Sequence, residues 1–294
     1  MRIVIALADS ALRRHGEHNG ASTDMDAVQA AATQLGSVAD GNDAVVVVVH
    51  ANGLPERVDG NPANRFDFEL HNCLAAGRAC ATLLPMVEVD AADPAFEHPN
   101  QPIGAVILGE KALADARAKH WRIAKDKIGY RRVVPNLRPV RLPQSEAFRR
   151  LLDDRTLVIC AGGVVPVVAQ ADGAWYGVEA VVDPYCAAAL IAEAIEADLF
   201  VIVTEMPGVF LDWGTANSKL LRHGHPNALR EFADTAGAMG PKLRAASDFV
   251  ERTGRRAAIG ALADMERLLD GTAGTTISCE RADPRRFAGG SIAY

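Results

Sequence analysis

Residues 178–203 read VEAVVDPYCAAALIAEAIEADLFVIV. The apolar run Val178–Val182 stops at Asp183-Pro184. Tyr185–Ala197 then carries apolar residues at helical spacing, and Leu199–Val203 is a second apolar run with no charge in it. Asp before Pro is a helix start: the carboxylate caps the first free N–H groups, and proline fits the first helical position, where no N–H is needed. A strand, a helix and an uncharged strand in succession read as part of a parallel sheet covered on both faces.

The same pattern extends in both directions. Ile3–Leu7, Ala44–Val49, Leu157–Cys160 and Ala257–Ile259 are short apolar runs that read as further buried strands. Helical periodicity fits Asp24–Ala39, Phe68–Ala81, Ser145–Leu152, Asn227–Ala233, Lys242–Arg252 and Asp264–Leu269. The expected fold is α/β: a three-layer αβα sandwich around a mainly parallel sheet. The stretch from about Asp90 to Leu142 breaks this rhythm. It is rich in proline and charge and holds one helical pattern, Glu110–Lys119, so it reads as an inserted lid subdomain. The tail 280–294 is polar and reads as partly ordered.

Composition narrows the classes. The chain has 294 residues, a net charge of −6 and 49% hydrophobic residues, the make-up of a soluble globular protein. No Lys/Arg block dominates, which argues against a nucleic-acid partner. No apolar run reaches the roughly 20 residues of a membrane span. Five cysteines (Cys73, Cys80, Cys160, Cys186, Cys279) stand singly, without metal-ligand or redox spacing, as reduced thiols do in a cytoplasmic protein. No metal site and no nucleophile elbow is indicated.

Ligands of open α/β sheets bind beyond the carboxyl ends of the strands. The segments there are Ala8-Asp9-Ser10, His50-Ala51-Asn52-Gly53, Ala161-Gly162-Gly163, Asp183-Pro184 and Gly237-Ala238-Met239-Gly240-Pro241-Lys242. Gly-rich turns let backbone N–H groups approach an anion.

Several strings give this order a family likeness: Val87-Glu88-Val89-Asp90, Pro102-Ile103-Gly104, Tyr130–Pro135, Gly177–Asp183, Leu211-Asp212-Trp213-Gly214 and Gly240-Pro241-Lys242. From Met1 to about Ile277 the chain resembles carbamate kinases of the amino-acid-kinase superfamily. The resemblance implies an acceptor-binding half, 1–144, that includes the lid at about 90–142, and a nucleotide-binding half, 145–279. It also implies ADP/ATP and Mg²⁺ as cofactors, a small-molecule substrate and a homodimer. The implied reaction is carbamoyl phosphate plus ADP giving ATP and carbamate.

Carried over by residue, the resemblance gives Lys242 a phosphate and makes Asp183 the organiser of catalytic lysines. Lys125 becomes the lid lysine, with Lys127 two residues away. The acceptor and phosphate loops fall on Ala8, Asp9 and Ser10 and on His50, Ala51, Asn52 and Gly53. The nucleotide side falls on Gly162, Gly163, Thr204, Asp212, Met239 and Gly240. Each has a plainer alternative: a capping Asp, a solvated Lys, a core His, a strand-to-helix turn.

The loops also depart from the family pattern. Ala8-Asp9-Ser10 replaces Gly-Gly-Asn, Ala51 replaces Gly, Val164-Val165 stands where glycines are expected, and Pro184 replaces a lysine. A carboxylate about 4 Å from a phosphate repels it by roughly 4 kcal/mol at an effective dielectric near 20. Two readings follow: a divergent enzyme with impaired turnover or a shifted substrate, or a catalytically silent relative that binds a ligand or protein partner as a regulatory or scaffold subunit.

Overall fold

In the computed structural model, residues 1–7, 11, 25–42, 44–49, 62–75, 77–161, 163–170, 172–280 and 290–292 are described. The main sheet runs in the order Val209–Leu211, Lys219–Gly224, Thr275–Ile277, Arg256–Ala261, Leu199–Thr204, Arg2–Leu7, Ala44–Val49, Leu157–Ala161, Cys80–Leu83. The last six of these are mutually parallel. Thr275–Ile277 turns antiparallel to Arg256–Ala261, and Val209–Leu211 closes that edge antiparallel to its neighbour. From the tail, Gly290–Ile292 adds a strand alongside Lys219–Gly224.

Side-chain alternation along each strand divides the core in two. Val4, Val46, Val158, Phe200 and Ile259 face helices Ser145–Asp153, Pro184–Ala194 and Gly240–Thr253. Ile3, Val45, Ile159, Val201 and Ala258 face helices Met25–Gly41, Pro62–Cys73 and Met265–Asp270. This is the three-layer sandwich that the periodicity predicts. Among the described residues, no helix is long and apolar enough to cross a membrane.

Two elements differ from the sequence reading. Val178–Val182 does not join the main sheet. Only Val181–Val182 is extended, paired with Asn136–Leu137. Glu179 explains this, because its carboxylate binds Arg132 at the surface and has no place in a strand buried on both faces. The helix expected over Phe68–Ala81 is instead Pro62–Cys73, and Cys80–Leu83 is the edge strand beside Leu157–Cys160. Backbone pairing overrides the local helical spacing there, and Gly77, at φ +91°, makes the turn between the two elements.

Residues 90–142 carry a separate three-stranded antiparallel sheet, Gln101–Ile107, Tyr130–Val134 and Ile123–Lys125, together with helix Glu110–Ala118. A four-stranded sheet in the order Trp175–Gly177, Val165–Ala169, Met86–Val89, Pro139–Arg141 joins the end of this segment to strands outside it.

Candidate active site

Helix Pro184–Ala194 begins as its sequence predicts. Asp183 Oδ1 accepts from the N–H groups of Tyr185 at 2.9 Å and Cys186 at 3.0 Å, and Pro184 takes the first helical position. Helix Gly240–Thr253 begins without a side-chain cap. Its first turn instead carries Lys242, 9% exposed. The ammonium donates to the Ala238 carbonyl at 3.1 Å and lies 4.9 Å from the centre of the Tyr185 ring. Burial pushes the Lys242 pKa below its usual value, and the carboxylates of Glu205 and Asp183 pull it back up.

Lys242 faces a cleft of about 600 Å³. Thr204, at the carboxyl end of a central strand, forms one wall with Glu205. Asp212, Trp213 and Phe210 form another, and Met239 lies beside Lys242. Trp213 is 65% exposed and its ring is 5.1 Å from that of Phe210, tilted by 58°. Asp183 borders a smaller recess of about 250 Å³, together with Arg138 and Cys186. Burial, and then the Asp183 charge, push the Cys186 thiol up to about 12, while Arg138 acts in the opposite direction.

The structure therefore gathers Thr204, Asp212, Met239 and Lys242 around one cleft, with Asp183 at the adjoining helix start. Gly240 is buried at a close crossing and does not line the cleft: a Cβ there would lie 2.4 Å from the Ala233 carbonyl oxygen. Gly163 adopts φ +96°, a conformation that glycine takes readily, with open space around its missing side chain. Lys125 ends an exposed strand opposite Tyr130 and is not part of the cleft wall. Ala8, Asp9, Ser10, His50, Ala51, Asn52, Gly53 and Gly162 lie outside the described residues.

The sequence reading did not single out Glu205, Tyr185 or the Phe210–Trp213 pair. Glu205 follows directly on a buried strand, and that position alone was a usable signal. Nothing local in the sequence announces that Tyr185 meets Lys242, because the two start different helices.

A profile of the amino acid kinase family matches residues 1–261, which sets the class. Carbamate kinase of Haemophilus influenzae is 37% identical over 302 aligned residues, covering 95% of this chain and 97% of that one. Carbamate kinase of Rhizobium meliloti is 36% identical over 309, covering 96% and 95%. The structure of Giardia lamblia carbamate kinase bound to AMP-PNP has a TM-score of 0.81 at 24% identity, over 94% of this chain and 98% of that one. The chain belongs to the carbamate kinase family, within the amino acid kinases.

Proposed function

We propose that the protein is a carbamate-kinase-type phosphotransferase with impaired turnover or a shifted acceptor. The transfer breaks the bond from phosphorus to the carbamate oxygen of carbamoyl phosphate and forms one from phosphorus to a terminal oxygen of ADP. The observation that carries this reading is Lys242. A largely dehydrated cation in the first turn of a helix opposes the helix dipole and lacks its full water shell. A phosphate arriving in the cleft relieves both costs, and it does so most as charge moves in the transition state.

In this reading residues 145–279 bind the nucleotide and residues 1–144 bind the acceptor, with 90–142 as the lid. Thr204, Asp212 and Met239 surround the adenosine, and Gly162 and Gly163 approach its phosphates. Asp183 orients the cationic groups, and Lys125 reaches in from the lid. Among the described residues no cluster of three or more His, Cys, Asp or Glu side chains could enclose a metal. Mg²⁺ would then be held chiefly by phosphate oxygens and water, with Asp183 and Glu205 as the nearby carboxylates. It would supply charge neutralisation of those phosphates. The family likeness also supports a cytoplasmic homodimer.

Impairment is argued from Asp9 in the first anion loop and from Pro184, which brings no cation to the position after Asp183. Pro184 equally favours the second reading, a catalytically silent relative that binds a ligand or protein partner as a regulatory or scaffold subunit. The test is ATP formation from carbamoyl phosphate and Mg-ADP, with ADP binding followed by calorimetry. Turnover that falls in Lys242→Met supports the enzyme. Binding without turnover supports the silent subunit. Absence of ADP binding overturns the enzyme and leaves the silent subunit only as a binder of another partner. Turnover should rise when Ala8→Gly, Asp9→Gly, Ser10→Asn and Pro184→Lys are combined, and no rise would remove the case for impairment.

A further inference from the structure

We propose that the seam between the lid sheet and the body carries a second oxyanion site, for a phosphate-class dianion, separate from the cleft at Lys242. The proposal does not depend on the chain's catalytic activity.

A cavity of about 400 Å³ lies where helix Glu110–Ala118 runs out and strand Tyr130–Val134 passes. Its wall includes Lys119, His120, Arg122 and Arg132 around the indole of Trp121, with Glu179 facing them from the body. It shares no lining residue with the Lys242 cleft. Lys119 Nζ is 5.0 Å from the Trp121 ring centre and Arg132 Cζ is 4.7 Å from it. Two cations thus share one ring. Arg122 adds a third positive charge to the same wall. Among the described lining residues Glu179 is the one carboxylate, which leaves a surplus of two positive charges there.

The single ion pair is unequal. Arg132 is 19% exposed, whereas its partner Glu179 is 71% exposed. The guanidinium has lost most of its water, but the carboxylate that answers it remains in solvent. An oxyanion entering the cavity could take that partner's place and also meet Lys119 and Arg122.

His120 holds φ +57° just past the helix end. Glycine or asparagine is the usual residue in that left-handed position, and other residues adopt it at a cost. Arg155 and Glu196 leave their helices at the same φ of +57°, so this is the chain's ordinary helix stop. Here it puts an imidazole in the wall of the cavity.

The experiment is calorimetry of the full chain with inorganic phosphate and with phenyl phosphate, at constant ionic strength set by chloride. One saturable site is expected. It should weaken about tenfold in Lys119→Ala and in Arg122→Ala, exposed positions whose loss leaves the fold intact by circular dichroism. Lys242→Met should not change it, and Glu179→Gln should tighten it several-fold by freeing Arg132. Tighter binding of phenyl phosphate identifies a phosphomonoester as the occupant, and equal binding identifies free phosphate. No saturable heat overturns the proposal. So does binding that Lys242→Met abolishes while Lys119→Ala and Arg122→Ala leave it unchanged.

Discussion

The ammonium of Lys242 lies 4.9 Å from the ring centre of Tyr185, so the starts of two helices distant in sequence meet at one cation. A charge in that setting is stabilised by the ring face and by the Ala238 carbonyl more than by water. Lys242→Met should lower the rate of ATP formation by at least about a hundredfold. Stability carries its own signature. The folded pKa of Lys242 is below the ordinary lysine value of 10.5, so between the two values the unfolded chain binds more protons and stability rises with pH. Urea melts of wild type and Lys242→Met should therefore diverge in favour of wild type as pH climbs toward 10.5.

Trp213 should contribute to nucleotide affinity and little to folding. It is 65% exposed, so Trp213→Ala leaves no cavity in the core. Loss of a stacked aromatic surface of this kind costs about 0.5–1.5 kcal/mol, or roughly threefold to tenfold in the ADP dissociation constant. Calorimetry with ADP reads the first effect. A denaturant midpoint within about 0.5 kcal/mol of wild type confirms the second.

Gly240→Ala should act through packing. Its new methyl would meet the Ala233 carbonyl at 2.4 Å, and a backbone atom cannot swing aside as a side-chain tip can. A stability loss of about 1–3 kcal/mol is expected in urea.

His223 should make the fold acid-sensitive. It is 5% exposed, with Nε2 2.8 Å from Ser278 Oγ. Burial holds its pKa below 6.5, and the neighbouring His225 adds to the effect. The unfolded chain then takes up a proton first. Stability falls as pH drops through 6.5, and the loss is complete below the folded value. His223→Gln should flatten the decline in Tm across that range.

Thiol chemistry should separate the cysteines. Cys160 is buried, and burial raises its pKa far above the ordinary range. Cys186 is pushed up to about 12. Cys279 is exposed. Iodoacetamide followed by mass spectrometry should label Cys279 first and Cys160 only after unfolding.

Legibility in the sequence followed burial. Ile3–Leu7 and Leu199–Val203 were plain because uncharged runs in a parallel sheet admit few other readings. Cys80–Leu83 was not, because a short edge strand takes its conformation from Leu157–Cys160, far along the chain. At the site, Asp183 and Lys242 were found through local rules and family likeness. The contact between Lys242 and Tyr185, and the wall made by Phe210 and Trp213, depend on which elements become neighbours, and local spacing does not encode that.

The unbroken ladder between Arg2–Leu7 and Leu199–Thr204 has a mechanical consequence. Five matched residue pairs stitch the first half of the chain to the second, and every one lies in the core. The two sides cannot swing open like a clamshell without tearing hydrogen bonds out of a dry interior. Any induced fit must then come from parts hung on this rigid spine, above all the separately bonded strands 101–134, whose displacement leaves the ladder intact.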